Sequence, residues 1–158
     1  MAAQLPDLII LNGVQMDLYT NPLEEYWAKP KKKKPVFFKL ISCQRGYVAT
    51  WEVKDKQLFL KELNGNFLKR FCLFGRKKAR YSIQQLFPKS KGKLVKANWF
   101  SGKLRIPSGP MTMYEHKGYE SRFESEIIIT VERGNVLKTV SLDYTHQRLI
   151  THTMDSIL

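Results

Sequence analysis

The chain has 158 residues, with 27 Lys and Arg against 14 Asp and Glu and a formal net charge of +13. That length predicts a single domain over 1–158, long enough to bury a core without disulfides or metals, and 43% apolar with 12% aromatic content excludes a disordered chain. Apolar runs such as Leu8–Leu11 and Ile127–Ile129 fall far short of the roughly 20 residues a membrane-spanning helix needs.

Residues 1–28 contain no Lys or Arg, so they lack the basic segment of a secretory leader. A cytoplasmic protein without membrane attachment is expected. Two cysteines, Cys43 and Cys72, make neither a disulfide framework nor a zinc site. Both sit in apolar, strand-like runs, where a thiol behaves as a small inert hydrophobe.

In chain order, Leu8–Leu11 and Val14–Tyr19 flank Asn12-Gly13, which predicts a hairpin with a type I′ turn. Asn21 is placed to cap a short helix, with Pro22 at its first position and Glu24 and Glu25 at its positive end. The helix should stop near Ala28, before Lys29-Pro30. Residues 29–35 read KPKKKKP, and prolines with like-charge repulsion predict an exposed, mobile basic loop.

Val36–Ser42, Tyr47–Val53 and Leu58–Leu63 follow as strands. Tyr47, Ala49, Trp51 and Val53 share one face; Leu58, Leu60 and Glu62 share a face of the next strand, opposite Phe59, Lys61 and Leu63. Asn64-Gly65-Asn66 signals a turn into Phe67–Phe74. Ser82 and Gln85 form a capping box for a helix stopped at Pro88. KSKGK at 89–93 is a basic loop. Leu94–Phe100 and Lys103–Ile106 predict a hairpin about Ser101-Gly102, and Ser108-Gly109-Pro110 a break. Glu126–Glu132 and Val136–Leu142 predict a further hairpin about Arg133-Gly134-Asn135. The tail from Thr145 fits a strand or a short helix.

Eight to ten short strands and two short helices predict a mainly β, α+β domain. Its expected form is an antiparallel, hairpin-built curled sheet or partly open barrel.

The charge is uneven: residues 1–28 carry −4, 29–62 carry +7, 63–114 carry +12 and 115–158 carry −2. If the acidic ends fold back on the middle, part of the charge is neutralised internally. The rest predicts an electropositive surface. From Leu63 to Tyr114 no acid occurs, and aromatics (Phe67, Phe71, Phe74, Tyr81, Phe87, Trp99, Phe100) are interleaved with the bases. Basic groups neutralise phosphates and exposed aromatics stack on bases, although most of these rings read equally well as core. The candidate anion-binding residues are Lys31, Lys32, Lys33, Lys34, Arg76, Lys77, Lys78, Arg80, Lys89, Lys91, Lys93 and Lys96.

Catalytic chemistry has a weaker basis. His116 lies near Glu115, Glu120, Glu124 and Glu126, a composition suited to acid–base work but equally to a polar loop. No glycine-rich phosphate loop, catalytic metal set or cofactor motif is present.

Three stretches, Arg45–Leu60, Met113–Gly134 and WFSGKLRIPSG at Trp99–Gly109, resemble a group of small bacterial proteins of no established activity. In that group a WEV-type hairpin precedes a W-F-S-G-x-L-R-I-P segment. The resemblance implies a bacterial, cytoplasmic setting and an intact domain, and it supplies no catalytic residues. Small proteins of this kind are often accessory or immunity-type binders, an analogy only.

The expected function is a non-catalytic binding module for a polyanion, first of all nucleic acid. The alternative is an inhibitor or immunity-type protein that binds an acidic protein. An enzyme is the least expected class.

Overall fold

The computed structural model of the chain describes residues 2–70, 72–115 and 118–144. β1 (Asp7–Leu11) and β2 (Val14–Leu18) form the expected hairpin. Asn12 and Gly13 have φ of 50° and 79°, the two left-handed conformations a type I′ turn requires. α1 (Pro22–Ala28) starts on its proline with Glu24 and Glu25 in the first turn. Asn21 does not cap it. Its side-chain amide instead donates to the Tyr119 hydroxyl at 3.1 Å.

β3 (Tyr47–Lys54) and β4 (Gln57–Arg70) follow, then β5 (Arg76–Tyr81) and α2 (Ile83–Leu86). α2 is opened by the Ser82–Gln85 capping box and is followed by a single 3-10 turn at Pro88–Ser90. The remaining strands are β6 (Val95–Lys96), β7 (Gly102–Pro107), β8 (Met111–Met113), β9 (Arg122–Phe123), β10 (Ser125–Glu132) and β11 (Asn135–Asp143).

The main sheet runs β2-β1-β3-β4-β11-β10-β7, with β5 and β6 also paired to β4; β8 and β9 form a separate ribbon. The sheet is curled and not closed into a barrel. Its ends come together just past β2, where Tyr19 N donates to Arg105 O at 2.8 Å.

Two pairings depart from the sequence reading. β1 and β3 are parallel, which the long crossover through β2, α1 and the 29–46 segment permits. Leu94–Phe100 and Lys103–Ile106 do not form a hairpin: β6 pairs with β4 and β7 with β10. Trp99 and Phe100 turn into the core between them, so the chain crosses from one part of the sheet to another. The tail from Thr145, with His146 and His152, and also His116 and Phe71, lie outside the described residues. Among the described residues no helix is long and apolar enough to cross a membrane.

The core lies inside the curl. It joins Ile9, Leu18, Leu23, Trp51, Leu58, Leu60 and Leu63 to Leu104, Ile106, Ile129 and Val131 in one cluster. An aromatic chain crosses it: Trp51 meets Trp99 at 6.3 Å between ring centroids, and Trp99 stacks on Phe87 at 5.7 Å. Trp51 is fully buried.

Asp7 is also fully buried, in the floor of this core. Its carboxylate accepts from Arg45 Nη2 at 2.8 Å, Ala49 N at 3.0 Å and Trp51 Nε1 at 3.1 Å. Burial pushes the Asp7 carboxyl above its ordinary range, while the Arg45 charge and the Ala49 and Trp51 donors pull it back.

Trp51→Ala should cost roughly 3–5 kcal/mol in urea unfolding, a large core truncation that also strands an Asp7 oxygen. Arg45→Met should cost roughly 3–5 kcal/mol at neutral pH, because it leaves a buried charge uncompensated. A carboxyl that holds its proton more tightly folded than unfolded makes stability rise as pH falls. The Arg45→Met deficit should therefore shrink as the pH is lowered toward the carboxylate range, as read by unfolding titrations across pH.

Candidate nucleic-acid interface

β4 changes role along its length. Its first half pairs with β3 and buries Leu58, Leu60 and Leu63. The register shifts here: Thr50 faces Glu62 while Trp51 faces Leu60. The bulge moves Leu63 onto the face of Leu58 and Leu60, whereas simple alternation assigned it to the other.

At Asn64-Gly65 the strand runs straight on, and the expected turn is absent. Gly65 is there because the backbone is crowded. A Cβ would sit 3.0 Å from Gly46 O, Phe37 Cε1 and Tyr47 Cβ alike. β3 ends at this point, with Tyr47 opposite Gly65.

Beyond Gly65, β4 and β5 form a two-stranded hairpin. The edge that β3 vacates is taken by residues 36–38. Phe37 bridges Phe67, Phe38 N donates to Asn66 O at 2.9 Å and Leu68 N to Val36 O at 3.4 Å. The strand expected over Val36–Ser42 is reduced to isolated bridges, with Phe37 buried and Val36, Phe38, Leu40 and Ile41 exposed.

The hairpin sorts its side chains by alternation. Lys69 stands opposite Lys77, Arg70 opposite Arg76, Leu68 opposite Lys78 and Asn66 opposite Arg80. One face therefore carries Arg70, Arg76, Lys78 and Arg80. The other carries Lys69 and Lys77, then Phe67, Ala79 and Tyr81, which pack toward the core. All six cations are exposed. Arg80 has Glu62 at 3.9 Å, an exposed and therefore weak ion pair. Lys78 Nζ lies over the Phe38 ring, 5.2 Å from its centroid.

The other candidate cations divide into free and committed groups. Lys31, Lys32 and Lys33 are exposed outside regular structure, as expected, and Lys32 Nζ lies over the Tyr26 ring, 5.1 Å from its centroid, with no acid among the described residues paired to it. Lys34 is not a free cation. It pairs with Glu24 at 2.7 Å and lies over the Trp27 and Tyr47 rings. The same Glu24 oxygen accepts from the Tyr47 hydroxyl at 2.9 Å. Burial, with the Asp7 and Glu24 charges, holds the Tyr47 phenol far above its ordinary range, so it remains a neutral donor.

Lys89, Lys91 and Lys93 are exposed on the 3-10 turn and the residues after it, on a different piece of chain from the hairpin. Lys96 is half-buried and donates to Asn135 Oδ1 at 2.8 Å. Arg105, in the acid-free middle, is committed internally. It pairs with Glu126 at 2.6 Å and donates to the carbonyls of Tyr119 and Ser121.

The interleaved aromatics are mostly core. Trp99 and Phe100 are buried, while Phe67, Tyr81 and Phe87 pack against the core. Phe74 is 95% exposed, at the hairpin tip beside Leu73, which is 71% exposed. The sequence reading continued a strand through this segment. The usable signal was an apolar quartet, Phe71–Phe74, bracketed by Lys69-Arg70 and Arg76-Lys77-Lys78. Cys72 at the tip is exposed and not the inert buried thiol expected; Cys43 is buried.

A cleft of about 360 Å³ lies apart from the hairpin, lined in part by Gln4, Asn21, Arg45 and Tyr119. These groups hold one another or nearby backbone. Arg45 Nη1 and the Tyr119 hydroxyl both donate to Leu5 O, and Gln4 Oε1 accepts from Gln44 N. Among the described residues no three His, Cys, Asp or Glu side chains gather as metal ligands would. The chain matches no family model, no curated protein and no solved structure.

Lys34→Ser should cost about 1–2 kcal/mol, from the ion pair and the two ring contacts. Replacing Lys31 and Lys33 together by Ser should change stability by no more than about 0.5 kcal/mol, and adding Lys32→Ser should cost about 0.5–1 kcal/mol more through the Tyr26 ring. Parallel urea melts separate the three.

Proposed function

We propose that the protein is a non-catalytic binding module for nucleic acid, held by phosphate contacts along the β4–β5 hairpin. The observation that carries this reading is the like-charge pairing: Lys69 opposite Lys77 and Arg70 opposite Arg76. Like charges directly opposite on an antiparallel pair are unfavourable, each by up to about 1 kcal/mol. A phosphate between them converts the repulsion into a shared contact and releases counterions. Lys31, Lys32, Lys33, Lys89, Lys91 and Lys93 are further exposed cations available to a long polyanion. Lys34 does not belong to the proposed surface, because Glu24 neutralises it, nor does Lys96, which is half-buried and held by Asn135 away from the hairpin; Arg70 stays exposed and keeps its charge, since its two partners are neutral carbonyls. The setting we propose is the bacterial cytoplasm, on the resemblance carried by the Trp51 and Trp99 segments.

Fluorescence anisotropy of labelled oligonucleotides over a salt series tests the reading. Log affinity should fall linearly with log salt, by roughly 0.7–0.9 per phosphate neutralised. Charge reversal at Arg76, Lys77 and Lys78 should flatten that slope and weaken all sequences alike, since phosphate contacts carry no base information. Lys77→Glu alone sets an acid opposite Lys69. It should raise stability by about 0.2–1 kcal/mol in urea while lowering oligonucleotide affinity. Absence of oligonucleotide binding at physiological salt, with binding to an acidic protein instead, would move the protein to the inhibitor or immunity-type class.

A further inference from the structure

Resting on the nucleic-acid reading, we infer that the hairpin tip is an apolar wedge: Leu73 and Phe74 enter duplex DNA and unstack a base step while the basic arms hold the flanking phosphates. Turn positions usually take Gly, Asn or Asp, which water solvates well. Here the tip carries Leu73 and Phe74, 71% and 95% exposed, so neither contributes to the core. The tip backbone is nevertheless tied down. Arg70 donates through Nη2 to Leu73 O at 3.0 Å and through Nε to Cys72 O at 3.4 Å. Gly75 N also donates to Cys72 O, at 3.4 Å. The two apolar side chains are thus presented on a braced loop.

The arrangement of charge selects the occupant. Arg76, Lys78 and Arg80 recur every second residue, about 6.8 Å apart along the strand. That is two of the 3.4 Å rises of duplex DNA. Lys69 and Lys77 stand on the opposite face close to the tip, so phosphates on either side of the inserted tip find a cation. A lipid surface touched by the tip would leave Arg80 more than about 14 Å away, the length of four strand residues beyond Arg76. At physiological salt that exceeds the screening length of about 8 Å, so the far cations would do nothing there. Beyond Leu68, where residues 36–38 no longer cover its edge, the hairpin is a two-stranded ribbon; such a ribbon fits a DNA groove, and Phe or Leu inserted between base steps kinks a duplex.

The test uses the full chain and a duplex carrying 2-aminopurine, whose fluorescence rises on unstacking, alongside anisotropy over a salt series. Wild type should bind with salt-dependent affinity and raise the 2-aminopurine signal. The double variant Leu73→Ser with Phe74→Ser should keep the salt slope and lose the rise. Both side chains are exposed, so its thermal melt should match wild type. Salt-dependent binding by wild type without any rise overturns the wedge and leaves the binding reading standing. No duplex binding, with single-stranded oligonucleotide binding retained, overturns the wedge alone, and no binding to any oligonucleotide overturns both. Phe74-dependent binding to anionic phospholipid vesicles without duplex binding assigns the tip to a lipid surface instead.

Discussion

A carboxylate withdrawn from water must find donors, and Asp7 finds three: the Arg45 guanidinium, the Ala49 amide and the Trp51 indole. The desolvation cost of such a group is several kcal/mol unless the geometry is good. The geometry here draws three parts of the chain together. β1 begins at Asp7, β3 contributes Ala49 and Trp51, and the loop before β3 contributes Arg45. Arg45 then reaches back to Leu5 O at 2.6 Å. The parallel β1–β3 register, with Ile9 beside Trp51, is thereby pinned at one end by a carboxylate whose donors lie on β3 and the loop before it. A one-residue slip would move Trp51 off the core face and leave Asp7 with too few donors.

The hairpins whose turns need unusual backbone conformations were legible in the sequence. Asn12-Gly13 and Arg133-Gly134 both adopt paired positive φ, and the capping box at Ser82 forms as written. What was not legible depended on contacts between distant segments. Gly65 carries a turn signature, but its true constraint is crowding by Phe37, Gly46 and Tyr47, which no local pattern encodes. The bulge between Thr50 and Trp51 is likewise a property of the pair of strands. Of the candidate site, the charge was visible and its sorting was not. Lys34 and Lys33 are adjacent and chemically identical, yet one is bonded to Glu24 and the other faces solvent.

That sorting follows the acidic ends of the chain. Glu24 from the start takes Lys34, Asp7 takes Arg45, and Glu126 from the end takes Arg105. The cations nearest the core are thus neutralised by folding, and the hairpin is left with paired bases. An excess of charge becomes a local feature, because the acids bond the cations that lie against the core and leave those of the hairpin exposed.

β4 and β11 touch at a single register pair, Asn135 opposite Gln57, although they stand next to one another in the sheet. Two backbone bonds flank it, Leu58 N to Gly134 O at 2.8 Å and Val136 N to Lys56 O at 2.9 Å. The β2-β1-β3-β4 and β11-β10-β7 portions are therefore joined by a very short ladder at this seam, and at their far ends by the Tyr19 N to Arg105 O bond. Portions joined so sparsely are expected to exchange their amides as separate cooperative units. β10 and β11, neighbours in sequence, form a low-contact-order unit, while the β1–β3 pairing must await closure of a long crossover. That connectivity lets the two portions form separately and dock across a shared apolar interior, which makes the β4–β11 seam the expected boundary between foldons.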